Sequence, residues 1–100
     1  MSQLHLIQSP ILFQEFEQRF KFCVAQEDSI LFLNDSLFSL TTKDFNSEYF
    51  HECIINNSIW CIEEQLNARA IADSISNKIA LTDYSNFVNM SQQADKIVSW

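Results

Sequence analysis

Residues 30–35 read Ile30-Leu31-Phe32-Leu33-Asn34-Asp35: four apolar side chains in a row, then two turn formers. A short apolar run without polar alternation fits a strand buried on both faces of a parallel sheet. Parallel neighbours need crossovers, so helical patterns should alternate with further strands. They do so in both directions. Upstream, Gln3 to Ile7 reads as a short strand. Ser9-Pro10 reads as a helix start, with Ser9 as N-cap and Pro10 at the first helical position. From Ile11 to Ala25 the apolar Leu12, Phe13, Phe16, Phe20, Cys23 and Val24 follow helical spacing. Gln14, Glu15, Gln18, Arg19 and Lys21 fall mostly on the other face.

Downstream, Ser36 to Thr41 suits a further short strand or an irregular segment, and Lys43 to Cys53 a short helix. Ser58 to Ile62 is a third core strand. Glu63 to Ala72 is a helix with acids in its first turn, where the helix dipole favours them. Lys78 to Thr82 is a fourth strand, Asp83 caps a helix to about Met90, and Lys96 to Trp100 closes as a strand. The expected fold is therefore α/β: a small flavodoxin-like, three-layer domain with a mostly parallel sheet. Residues 1–100 show no repeat, linker or Pro/Gly/Ser tract, so one domain is expected.

Composition narrows the chemistry. At 100 residues and 47% hydrophobic content the chain has the apolar supply for one core. There is no glycine, which removes the P-loop, the dinucleotide fingerprint, the EF-hand loop and the nucleophile elbow together. Turns must fall to asparagine and aspartate, the next best residues at positive φ. Thirteen acids against six bases give a net charge of −7. Arg19, Lys21, Lys43, Arg69, Lys78 and Lys96 are scattered, so no basic stripe is present for direct nucleic-acid contact or for an anionic membrane. No apolar run approaches the ~18 residues of a membrane span, and the first residues lack the basic and apolar regions of a secretory signal. A cytoplasmic protein is expected.

In an open α/β sheet, ligands sit beyond the carboxyl ends of strands. Those ends offer Gln8 and Ser9, Asn34 and Asp35, Cys61 and Glu63, and Thr82, Asp83 and Tyr84. The first pair supplies neither the paired acids of a phosphate-accepting receiver nor a flavin phosphate loop. Cys23, Cys53 and Cys61 have no C-x-x-C spacing, so neither a disulfide framework nor a zinc site is expected. Cys61, at a strand-to-helix junction, is the best placed for reactivity, yet Glu63 and Glu64 oppose ionisation there. The ordinary reading of each thiol is a small buried hydrophobe. His5 and His51 have no partner at metal-ligand spacing, and adjacent Glu63 and Glu64 diverge on a helix rather than forming an acid/base pair. The reading thus contains no catalytic, cofactor-binding or metal residues. The Phe13, Phe16 and Phe20 stripe reads as core. Phe22, Phe38 and Trp100 are hard to hide in so small a domain, which favours a partner surface.

Leu4-His5-Leu6-Ile7-Gln8-Ser9-Pro10 resembles the L-H-x(3)-S-P opening of the TusB/DsrH family of sulfur-relay subunits. Asp83-Tyr84-Ser85-Asn86-Phe87-Val88, with the later Trp100, is similar to that family's D-Y-x-x-F-V segment and closing tryptophan. Ile30 to Asp35 and Leu66-Asn67-Ala68-Arg69 resemble its hydrophobic strand and its short L-x-A-R helix. The chain departs from the family where glycines commonly follow these two elements: Ser36 and Ala70 stand there, which bears on turn geometry.

The resemblance implies a DsrE/F/H-like fold and a dimer of heterotrimers with TusC-like and TusD-like sister subunits. It further implies a cytosolic relay of persulfide sulfur toward 2-thiolation of the tRNA wobble uridine. The sulfur-accepting cysteine would lie on the TusD-like subunit and pass its sulfur to a TusE-like acceptor. This chain would then be a non-catalytic subunit. Two alternatives are a DsrH-type subunit in sulfur oxidation and a persulfide-carrying sulfurtransferase using Cys61.

Overall fold

The computed structural model describes residues 3–23, 28–48, 50, 58–77 and 79–100. Five strands, β1 (Gln3–Ile7), β2 (Ser29–Phe32), β3 (Ser58–Ile62), β4 (Ala80–Thr82) and β5 (Lys96–Ser99), alternate with helices α1 (Phe13–Cys23), α2 (Glu63–Ala68) and α3 (Tyr84–Gln93). The sheet is parallel throughout, in the order β4-β3-β2-β1-β5. From β1 the chain steps outward to β4, then returns to lay β5 on the free side of β1. Reversing that direction puts α3 on the opposite face from the earlier crossovers.

Strand alternation divides the core between the two faces. On one, Ile7, Ile30, Phe32, Ile59 and Cys61 meet Phe16 of α1 and Leu66 of α2. Phe13, Phe16, Phe32, Phe45 and Phe50 join there as one aromatic cluster, with centroids 5.1–6.1 Å apart and mostly tilted or edge-to-face. On the other face Leu4, Leu31, Leu33 and Ile62 pack with Phe87 and Met90 of α3. The β2 run expected to be buried on both sides is so.

Several boundaries differ from the sequence reading; α3, for one, runs to Gln93 rather than to about Met90. Helix α1 begins at Phe13 rather than at Ser9-Pro10; ahead of it Ile11 is drawn into the core, and its N–H donates to the Ser39 hydroxyl at 2.9 Å. Of the two readings of Ser36 to Thr41, a strand or an irregular segment, the strand is excluded: Asn34–Thr41 form a 3₁₀ segment. Asn34, at φ 58°, turns the chain out of β2. The Ser36 hydroxyl then accepts the Leu33 N–H at 3.1 Å and sits against the carbonyls of Ile7 and Leu33. In the span 43–53 the described residues include a short 3₁₀ turn, Asp44–Asn46, with Phe45 and Phe50 buried; Tyr49, His51 and Cys53 lie outside the described residues. Helix α2 stops at Ala68, four residues early.

Its ending is a Schellman turn. The Ala70 N–H bonds the Asn67 carbonyl at 3.1 Å, and the Ile71 N–H bonds that of Leu66 at 3.2 Å. Ala70 sits at φ 55°. The left-handed turn that glycine usually serves is thus kept by alanine, at a cost of about 1 kcal/mol.

Candidate functional site

Helices leave β3 and β4 on opposite faces, so the crevice of this sheet opens between the carboxyl ends of those two strands. Glu63 and Glu64 begin α2 on one side, and Asp83 and Tyr84 begin α3 on the other. A Glu64 carboxylate oxygen accepts the Tyr84 N–H at 3.3 Å across the gap. Asp83 accepts the Asn86 N–H at 2.7 Å as N-cap of α3, as expected. The Asn86 side-chain amide donates to the Thr82 hydroxyl at 2.8 Å. Tyr84 is 48% exposed, one of the larger apolar surfaces at this edge.

Beyond β2, Asn34 and Gln65 make a two-point contact. Gln65 Oε1 accepts the Asn34 N–H at 2.7 Å, and Gln65 Nε2 donates to Asn34 Oδ1 at 3.2 Å. This ties the left-handed turn to α2. Asp35 is mostly exposed, with Arg69 at 3.8 Å. Beyond β1, Gln8 and Ser9 are exposed, and the Gln8 carbonyl accepts the Ser36 N–H at 3.3 Å. The strand ends therefore spend most of their polar groups on holding turns and helix starts.

The cysteines separate. Cys61 is fully buried on the aromatic face, and its thiol approaches the Ala80 carbonyl at 3.9 Å. Burial pushes its pKa from 9.0 to about 12. Nucleophilic sulfur is thiolate, so a thiol held in this state is inert near neutral pH. Cys23 is the last residue of α1, and Cys53 lies outside the described residues. Among the described residues no group of three or more His, Cys, Asp or Glu side chains could hold a metal ion.

A cluster that the sequence reading missed lies on the same face, at the β1 side. His5 is 1% exposed, and its Nε2 lies 3.0 Å from the Asp28 carboxylate, which also accepts the Gln3 N–H at 2.9 Å. Trp100 Nε1 is 3.2 Å from His5 Nδ1, and the Trp100 N–H bonds the Leu6 carbonyl at 2.9 Å. Indole N–H only donates, so Nδ1 is the acceptor and the neutral ring carries its proton on Nε2, aimed at Asp28. The Arg19 guanidinium lies 5.1 Å over the Trp100 ring. Trp100 is therefore held within the fold, whereas Phe38 is 47% exposed.

The family model described as "DsrH like protein" matches residues 8–97. The chain belongs to the DsrH-like family. Two curated relatives of this DsrH-like chain are each named Protein TusB. The one from Yersinia enterocolitica is 30% identical over 79 residues, covering 77% of this chain and 79% of the relative. The one from Photorhabdus laumondii is 25% identical over 77 residues, with the same coverage of each chain. The crystal structure of the ychN protein from E. coli superposes over the whole of both chains with a TM-score of 0.69 at 9% identity, a likeness of fold. Among the described residues of the DsrH-like chain, no helix is long and apolar enough to cross a membrane.

Proposed function

We propose that this chain is a non-catalytic subunit of a cytoplasmic, hetero-oligomeric sulfur relay that serves 2-thiolation of the tRNA wobble uridine. Its partners are TusC-like and TusD-like sister subunits, joined as a dimer of heterotrimers. The TusD-like chain takes up persulfide sulfur and hands it to a TusE-like acceptor. One observation carries the reading: a DsrH-like sequence, with Protein TusB relatives, keeps Cys61, the thiol best placed for reactivity, fully buried at a pKa of about 12. A sulfur carrier needs a thiol that is both reachable and ionised. The net charge of −7 agrees with leaving the tRNA to a later enzyme.

The test combines two measurements. The tagged chain is purified from its own source, and the proteins that come with it are identified by mass spectrometry. The assembly is then loaded with labelled sulfur and trapped with a thiol-reactive probe. Two co-purifying paralogues, with label on one of them, support the proposal. Label on this chain that disappears in Cys61→Ser overturns it in favour of a sulfurtransferase.

A further inference from the structure

We propose that protonation of the buried His5 imidazole releases Trp100, and with it the β5 edge of the sheet. Asp28 holds one ring nitrogen and the Trp100 indole the other, with no slack between them. Neutral imidazole satisfies both, donating from Nε2 and accepting at Nδ1. Imidazolium has two donors. Its Nε2–H keeps Asp28, now as an ion pair, while its Nδ1–H points at an indole N–H that cannot accept. The indole cannot take the new proton, so the contact must open.

The surroundings add to this opposition. Arg19, over the far face of the indole, already places a positive charge beside the site, and Glu15 engages its guanidinium at 2.9 Å. Lys96, exposed at the start of β5, adds a second positive charge on the strand that would leave. Asp28 is the group that favours protonation. A small, mostly apolar cavity lined by His5, Ile7, Phe16, Arg19 and Trp100 adjoins the contact. β5 is an edge strand paired only with β1, so loosening Trp100 frees one side of the sheet.

The experiment follows the imidazole and indole nitrogens of the ¹⁵N-labelled full chain by NMR, in the assembly in which it purifies. The pH is lowered from about 8 to 5, the range in which histidine titrates. Trp60→Phe identifies which indole signal is Trp100. The expected result is loss of Trp100 indole protection and of β5 amide protection at the midpoint of His5 protonation, with Trp60 unmoved. By reciprocity, Trp100→Phe should raise that midpoint by about half to one pH unit, because it removes the opposing donor. An imidazolium that leaves Trp100 protected would overturn the proposal. So would a His5 that stays neutral until the protein unfolds, or an unchanged midpoint in Trp100→Phe.

Discussion

Trp100 Nε1 donates to His5 Nδ1 at 3.2 Å, joining side chains 95 positions apart. The opening L-H and the closing tryptophan, read as separate motifs in the sequence, are two halves of one contact. Trp100→Ala should destabilise the fold by about 2 kcal/mol, less than the 3–5 of a fully buried tryptophan because this ring is only partly covered. Trp100→Phe, which keeps most of the ring but strands the buried Nδ1, should cost about 1 kcal/mol. Denaturant unfolding of the two variants measures both. Equal stability of Trp100→Ala and the parent would remove the contact from the energetics.

Ala70→Gly should stabilise. Alanine pays the left-handed penalty at φ 55° in a turn whose two closing hydrogen bonds need that conformation. The gain is expected at about 0.5–1 kcal/mol, reduced by the greater freedom of glycine in the unfolded chain. A rise in midpoint temperature of a few degrees is the readout, and a fall would contradict the assignment.

Asp83→Ala should cost about 1 kcal/mol, since the carboxylate caps α3 through the Asn86 N–H. Asp83→Asn should recover most of that loss. If alanine and asparagine behaved alike, the cap would not be what Asp83 contributes.

Alkaline pH should expose Cys61. Its pKa is about 12 in the fold against 9.0 for a free thiol. The folded value is raised, so the stabilisation it confers is complete below pH 9.0 and is lost as pH climbs from there toward 12. The slope approaches about 1.4 kcal/mol per pH unit in that window. Subtracting the profile of Cys61→Ala isolates this thiol from the other titrating groups. A difference curve that stays flat above pH 9 would show a thiol that ionises freely.

Single replacement of Cys23, Cys53 or Cys61 by Ser or Ala should leave wobble-uridine thiolation largely intact. Where activity falls, thermal stability should fall with it, by about 1–3 kcal/mol for a buried thiol made polar or smaller. A stable, assembled Cys→Ser variant that no longer supports thiolation would contradict the non-catalytic reading.

Much of the architecture was legible because it is written in local patterns. The β2 run, the α1 stripe and the Asp83 cap each depend on residues within a few positions of one another. Contacts from far along the chain were not legible: Ile11 is anchored ahead of α1 by the Ser39 hydroxyl, 28 positions away. The glycine-free turns were foreseen at asparagine, and Asn34 obeys; Ala70 does not, because the Schellman bonds outweigh its side-chain preference. The His5 cluster was illegible for a related reason. Asp28, His5 and Trp100 share one sheet face by simple alternation, but only once the registers His5↔Ile30 and His5↔Val98 are known. No local pattern carries a register between strands that pair in parallel.

Strand order also dictates when the sheet can be finished. β1 is flanked by β2 and by β5, and the pairing Gln3↔Lys96 spans almost the whole sequence. On the ribosome, β1 through β4 emerge and can zip outward in sequence while one flank of β1 stays bare. That flank is a row of unsatisfied amides and carbonyls beside Leu4 and His5, open to any passing strand. The loop that closes it is the longest in the molecule, so its entropy must be met last. Synthesis therefore contains an interval in which the first strand made is itself an open sheet edge.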